Sequence, residues 1–221
     1  MLYCSECGRK YKLISKKNEC PYCVKERMWE KKKHWYLQNL FPAKIQSVIL
    51  ENDLHADIND VLAVVKQNKG LFFHGSPGIG KTTYACSVML DIIKYTIVEM
   101  LPKKSYGFVT MLELLGEIKQ TFSTTDTSVV VNKYREIDIL ILDDIGVEKI
   151  TDWTLQVVYS IVNYRYMDMC PTIFTSNLDL KNLATILNNR IVSRILETCL
   201  IFNFDEHSTN FRKQGVKYGR D

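Results

Sequence analysis

The sequence predicts a three-layer α/β fold on a parallel five-stranded sheet, with a small cysteine-bearing module ahead of it. Three observations lead there. Short apolar runs alternate with helical patterns from Gly70 to Phe204, the alternation that parallel strands and their crossovers produce. One run, Ile137–Asp143, is nearly all apolar, as a strand buried on both faces should be. Between the first run and its helix lies a glycine-rich loop of fixed pattern, Gly75 to Thr82.

The elements follow in order. Val24–Leu40 reads as a helix holding the basic run Lys31-Lys32-Lys33-His34, with Trp29, Trp35, Tyr36 and Leu40 nearby, and Pro42 stops it. The Phe41-Pro42 step is the expected boundary between an N-terminal module, 1–41, and a core domain, 42–221. Ile45–Glu51 reads as a short helix. Asp53 is the expected cap of a helix over Leu54–Lys66, whose Leu54, Ile58, Val61, Leu62 and Val65 share one side. Then come strand Gly70–His74, helix Lys81–Tyr95, strand Tyr106–Thr110 and helix Met111–Phe122. Thr121–Ser128 is polar and reads as a loop or frayed end. Strand Ile137–Asp143, helix Asp152–Asp168, strand Pro171–Ser176, a broken helix Leu180–Leu196 and strand Leu200–Phe204 complete the chain.

Length and composition bound the rest. The 221 residues (25.7 kDa) accommodate one core of roughly 150 residues and an appendage. With 46% hydrophobic and 24% charged residues, the chain is globular rather than disordered or fibrous. No window reaches the roughly 20 apolar residues of a membrane span, and Met1–Glu6 opens no signal peptide, so a cytoplasmic location with no membrane partner is expected. A net charge of +4 neither demands nor excludes a nucleic-acid partner. Its distribution is uneven: residues 1–41 carry ten Lys or Arg against four Asp or Glu, and the remainder nineteen against twenty-one. The basic N-terminal piece suits DNA or an acidic protein surface, or simply keeps a small module soluble.

Four of the seven cysteines stand as Cys4-x2-Cys7 and Cys20-x2-Cys23, with Gly8 and Pro21 favouring tight turns. Two such turns supply four thiolates to one Zn2+. Arg9–Ile14 between them is expected to form a short hairpin. A piece this small cannot fold on apolar burial, so the metal supplies its folding energy. Four protein ligands leave no open position for catalysis. Cys86, Cys170 and Cys199 stand alone in apolar surroundings and read as small hydrophobes. The four histidines show no metal-ligand spacing.

The run Gly75-Ser76-Pro77-Gly78-Ile79-Gly80-Lys81-Thr82 matches the P-loop pattern without a mismatch, after a strand and opening a helix. The loop Gly75, Pro77, Gly78, Ile79 and Gly80, with Lys81, Thr82 and Thr83 at the helix start, forms a phosphate cradle of backbone N–H groups. Lys81 reaches the β- and γ-phosphates, and Thr82 ligates Mg2+. Asp143 is the second magnesium ligand. Asp144, one residue on, is the expected base for the attacking water, with Glu148 a competitor. Asn177 ends the next strand, where it either orients water near the γ-phosphate or caps a turn. Arg190 and Arg194, four apart, share a helix face and either pair locally or reach a neighbouring subunit's nucleotide.

Several strings now matter together: Gly75–Thr83, Ile139–Gly146, Glu148-Lys149-x-Thr151-Asp152-Trp153, Tyr159-x-Ile161-x-Asn163-x-Arg165-Tyr166 and Ser193-Arg194-Ile195. They resemble the DnaC/DnaI-type AAA+ replicative helicase loaders over roughly residues 45–215, with IstB-like transposition ATPases as near relatives. The resemblance implies a sheet order of 5-1-4-3-2. It implies Walker A at Lys81 and Thr82, Walker B at Asp143 and Asp144, and sensor 1 at Asn177. Arg194 matches the arginine finger, Arg190 a supporting position and Arg212 a further basic position. It also implies ATP-dependent helical or open-ring homo-oligomers, single-stranded DNA in their channel, and a hexameric replicative helicase as partner. Lys119, Lys133 and Arg135 flank the expected channel side. Only 17 residues follow Phe204, so no C-terminal lid is expected.

The leading function is therefore an ATPase, using ATP, Mg2+ and a structural Zn2+, that loads a replicative helicase onto single-stranded DNA. The compact N-terminal module would suit a phage or mobile element. One rival is an IstB-like ATPase regulating a transposase, favoured by duplex binding. Another is an adaptor or inhibitor of the helicase that does not hydrolyse ATP, which the short side chain of Asp144 leaves open.

Overall fold

The computed structural model describes residues 2–11, 20–121, 127–146 and 151–206. Strands β1 (Leu2–Tyr3) and β2 (Lys10–Tyr11) pair antiparallel around the first cysteine turn. The hairpin expected over Arg9–Ile14 lies partly outside the described residues; its first part, Lys10–Tyr11, pairs with β1. Cys4 N–H donates to the Arg9 carbonyl at 3.0 Å and Gly8 N–H to the Cys4 carbonyl at 2.9 Å, so Tyr11 pairs back to Leu2. Residues 12–14 lie outside the described residues.

Helix α1 (Pro21–Leu40) starts with proline in its first turn, where a missing N–H costs nothing. Helices α2 (Ala43–Asn52) and α3 (Ile58–Gln67) follow. Asp53 does not cap α3: it ends α2 in the left-handed region at φ 46°. The cap is Asp57, whose carboxylate accepts the Asn59 N–H at 2.7 Å.

The core then runs β3 (Gly70–His74), α4 (Lys81–Val98), β4 (Tyr106–Thr110), α5 (Met111–Gln120), α6 (Thr127–Glu136), β5 (Ile139–Asp143), α7 (Asp152–Met167), β6 (Thr172–Ser176), α8 (Leu180–Leu187), α9 (Asn189–Thr198) and β7 (Cys199–Asn203). A reciprocal capping box, Thr110 with Glu113, starts α5 directly at the end of β4. Helix α6 begins inside the segment expected to be loop. Its Val131 and Tyr134 are buried, and the Tyr134 hydroxyl donates to Glu117 at 2.8 Å. Tertiary packing thus overrides the weak helical preference of its Val129-Val130-Val131 run.

The sheet order is β4-β5-β6-β3-β7, every pairing parallel. Counted from β3 as the first core strand, that is 5-1-4-3-2, as expected. Alternate strand residues feed opposite layers. Leu71, Phe73, Ile139, Ile141 and Ile173 pack with α1 to α4. Phe72, Leu140, Leu142 and Phe174 pack with α5 to α9. Trp29 and Leu37 bring α1 into the first layer beside α4. Among the described residues no helix is long and apolar enough to cross a membrane. The parallel arrangement brings the C-terminal ends of β5, β6 and β3 side by side, where the conserved geometry of such sheets puts ligands.

Candidate functional site

The loop after β3 turns sharply at Gly75, whose φ is 144°. A Cβ there would stand 3.2 Å from the Asp205 nitrogen and the Phe204 Cβ, so only glycine fits. Gly80, at φ 102°, caps α4 and aims its first N–H groups into the loop. Pro77 and Gly78 are exposed at the tip, Ile79 packs into the α4 layer, and Thr83 is buried.

Lys81 is buried at the first position of α4. Its Nζ donates to the carbonyls of Gly75 (2.8 Å) and Ser76 (2.9 Å) and to Asn177 Oδ1 (2.8 Å). Burial pushes its pKa down, against the pull of Asp144, Asp205 and Asp143. Asn177 Nδ2 in turn donates to Asp144 Oδ1 at 3.1 Å. This fixes the amide's orientation, because an ammonium only donates and a carboxylate only accepts. Asn177 is therefore not the cap of α8; that role belongs to Asp179, which accepts the Asn182 N–H at 2.8 Å.

Asp143, at the end of β5, is only 6% exposed. Burial raises its pKa, opposed by bonds from the Thr175 and Thr82 hydroxyls. Asp144 takes the left-handed region at φ 55°, which aspartate tolerates, and its N–H donates to Thr175 Oγ1 at 2.8 Å. The turn swings its carboxylate from the strand direction toward Asn177. Thr175 thus serves both aspartates, a role that its place one residue inside a strand end did not reveal. Asp143 with Thr82 offers hard oxygen donors in contact with each other, a set that suits Mg2+.

A further residue escaped the sequence entirely. Ser76 N–H donates to both carboxylate oxygens of Asp205, at 3.0 and 3.1 Å, tying the end of the β7 segment to the loop. That bond holds the Asp205 carboxyl below the usual range.

Arg194 lies away from this cluster. Its Nε donates to Asn163 Oδ1 (2.8 Å), one terminal nitrogen to the Tyr159 hydroxyl (2.9 Å) and the other to the Arg190 carbonyl (2.7 Å). The guanidinium lies over the rings of Tyr159 (4.8 Å) and Tyr166 (5.3 Å). Arg190 is exposed one turn earlier. Of the cations expected to flank a channel, Lys133 pairs with Glu117 at 2.9 Å, Arg135 lies over Tyr164 at 5.5 Å, and Lys119 is exposed. Glu148 and Arg212 lie outside the described residues.

The sulfurs of Cys4, Cys7, Cys20 and Cys23 all lie within 4.8 Å of one another. Cys4–Cys23 and Cys7–Cys20 are 3.6 and 3.7 Å apart. A zinc tetrahedron with Zn–S near 2.3 Å has edges of about 3.8 Å, so the set suits that ion. The Cys7 amide holds the Cys4 thiol down to about 7. Burial raises Cys23 in the same cluster; outside it, burial pushes Cys199 up to about 12 and Cys86 well above a free thiol, as expected of inert packing residues.

Comparison with known proteins follows the same lines. A family model described as IstB-like ATP binding protein matches residues 52–215. The chain is 26% identical over 152 residues to the phage-like element PBSX protein XkdC of Bacillus subtilis (strain 168), covering 65% of this chain and 54% of that one. It is 26% identical over 151 residues to the replicative helicase loader DnaC of Escherichia coli (strain K12), covering 66% and 58%. It thus spans little more than half the length of these curated relatives. A crystal structure of the DnaC helicase loader superposes with a TM-score of 0.53 at 24% identity, over 81% of this chain and 90% of that one. That likeness is one of fold.

Proposed function

The chain belongs to the IstB-like ATP binding protein family, and from that premise we propose that it is an ATPase that loads a replicative DNA helicase onto single-stranded DNA. The observation that carries this reading is the bonded chain Lys81–Asn177–Asp144, laid across the ends of three adjacent strands beside buried Asp143. Relatives named as helicase loaders support the choice of partner.

In this reading Lys81 exchanges its carbonyl partners for the β- and γ-phosphates of ATP, while the loop N–H groups bind the remaining oxygens. Thr82 and Asp143 hold Mg2+, which neutralises phosphate charge. Asp144 takes a proton from the attacking water, and Asn177 orients that water. Arg194 acts on the nucleotide of a neighbouring copy, with Arg190 beside it, so that ATP favours assembly. Glu148 and Arg212 keep their sequence-derived places as a second acid and a basic tail position. Residues 1–41 serve as a zinc-held module with its basic helix, and 42–221 as the ATPase domain.

The test is a pull-down against the host's replicative helicase with and without ATP, sized by light scattering, followed by loading onto circular single-stranded DNA. A complex whose mass changes with ATP, and which loads the helicase, is the expected result. Binding without loading would point to an inhibitor. A second reading, carried by the resemblance of the motifs to IstB-like transposition ATPases, is an ATPase partnering a transposase; capture of duplex DNA with no helicase binding would replace the first reading by that one.

A further inference from the structure

Helix α1 is buried on one side only. Trp29 and Leu37 face the layer built on α4, and the opposite side is open. That open side carries Lys31, Lys32, His34, Trp35 and Gln38, all exposed. Trp35 is 59% exposed, an unusual position for so large an apolar ring. It stands edge-on to Tyr36 at 5.1 Å, and Tyr36 is itself edge-on to Tyr106 of β4 at 6.4 Å. The indole is thus braced from below.

Lys31 and Lys32 precede Trp35 by four and three residues, roughly 40° and 60° around the helix from it. The neighbouring cations are engaged: Lys33 with Asp53 at 3.4 Å and Arg27 with Glu6 at 3.6 Å. Lys31 and Lys32 have no such ion pair among the described residues. The two acids of α1 turn elsewhere. Glu26 pairs with Lys94 at 3.5 Å, and Glu30 lies roughly 140° around the helix from Trp35.

We propose that this face of α1 binds single-stranded DNA, with a base stacked on Trp35 and the flanking phosphates on Lys31 and Lys32. Lysines alone suit any acidic surface, but the indole decides between partners. A protein interface centres an aromatic anchor among apolar neighbours. By helical position the ring's neighbours on this face are Lys31, Lys32, Gln38 and Asn39, with the half-buried Met28 two turns back. An isolated exposed ring between cations is the arrangement that stacks bases without reading sequence. The choice of a single strand rests on the loader reading. The site is separate from the nucleotide cluster, and Asn39 beside it lines one cleft with Lys133, a cation expected to flank the channel.

The experiment uses the zinc-loaded full chain with ATP and a fluorescein-labelled 20-nucleotide oligothymidylate, read by anisotropy across a salt series. Trp35→Ala should weaken binding about tenfold, the loss of one stacked base, and Trp35→Phe should restore most of it. Lys31→Glu with Lys32→Glu should weaken binding and flatten the log–log salt slope by roughly 1.4, about 0.7 for each phosphate contact. A charge-matched control, Lys103→Glu with Lys181→Glu, should bind as the parent does. Unchanged melting temperatures establish that the variants are folded. Parental affinity and slope in both α1 variants would overturn the site while leaving the loader reading intact. An unmutated chain that binds no oligothymidylate would overturn both. Variants that keep the oligonucleotide but lose the helicase would overturn the site in favour of an acidic protein surface.

Discussion

Asp143 shows at the scale of one residue how the candidate site is held at a cost to the fold. Its carboxylate is buried beneath the Thr175 and Thr82 hydroxyls, and burial raises its pKa above that of the unfolded chain. The folded state therefore holds this proton to higher pH. The stability it contributes is complete below the ordinary carboxylate pKa and is lost as pH rises through the folded value. At neutral pH the ionised group is a liability in the absence of a cation. Asp143→Asn should stabilise the nucleotide-free chain at pH 7 by about 1 kcal/mol, while removing magnesium-dependent hydrolysis. Urea melts at a series of pH values check this: the gap should close as pH falls through the carboxylate range. Arg165 makes the opposite case. It is 2% exposed and has no carboxylate partner within hydrogen-bonding distance among the described residues. Its guanidinium instead donates to the carbonyls of Tyr134, Arg135, Ile137, Asp138 and Pro171 and to Thr172 Oγ1. Burial draws its pKa down to about 10. Arg165→Met strands those acceptors and should cost about 3 kcal/mol, a fall in Tm of roughly 6–12 °C by calorimetry. Arg165→Lys, with three donors in place of a planar fork, should recover only part of it.

At the scale of elements, legibility followed locality. The phosphate loop was readable because its constraints fall within eight consecutive residues, Gly75 to Thr82, bounded by a strand and a helix. The inner strands β3, β5 and β6 were readable because burial on both faces leaves no polar alternation to confuse, and the half-exposed edge strands β4 and β7 were readable as short apolar runs beside helical patterns. Helix α6 was hidden because its stability comes from Val131, Tyr134 and Glu117 meeting across two helices. The Asp205–Ser76 tie was hidden because 129 residues separate its ends, Ser76 fills an unspecified position of the loop pattern and Asp205 belongs to no pattern. The cysteine pairs were legible as ligands, but the strands around them were not: a two-residue strand has no periodicity to read. Cys20 precedes the first turn of α1, so metal loss should release that turn along with β1 and β2. The bonds joining this region to α4, Arg9–Glu99 at 3.2 Å and Lys94–Glu26 at 3.5 Å, are exposed and too weak to hold it alone. A strong chelator should therefore remove about one Zn2+ per chain. Hydrogen exchange should then speed up across residues 2–11 and the start of α1, with α4 and β3 to β7 still protected. Purified chain without zinc, or uniform loss of protection, would contradict this.

For the whole molecule, the question is what Arg194 does when copies meet. In the single chain its guanidinium is held by Asn163 and by two tyrosines of α7, and none of its bonds reaches Lys81, Asp143, Asp144 or Asn177. An arginine so well placed in isolation loses little conformational freedom on meeting a new anion, since the cradle has already fixed its rotamer. It also keeps one exposed neighbour, Arg190, on the same helix. If Arg194 completes another copy's site, Arg194→Ala should leave ATP affinity within about twofold, because the single-chain cradle is untouched. ATP-dependent growth in mass should vanish, and hydrolysis should fall on the order of a thousandfold, as for an arginine supplied in trans. Mixing that variant with Lys81→Ala, which lacks the phosphate-binding lysine but keeps Arg194, should then restore part of the hydrolysis, because a contact that sets the loop of an Arg194→Ala copy against the arginine of a Lys81→Ala copy has both parts intact, while the reverse contact has neither. Light scattering and phosphate release measured on the same mixtures check both parts. Failure of the mixture to recover activity, with both variants folded, would mean that Arg194 only braces α9 against α7.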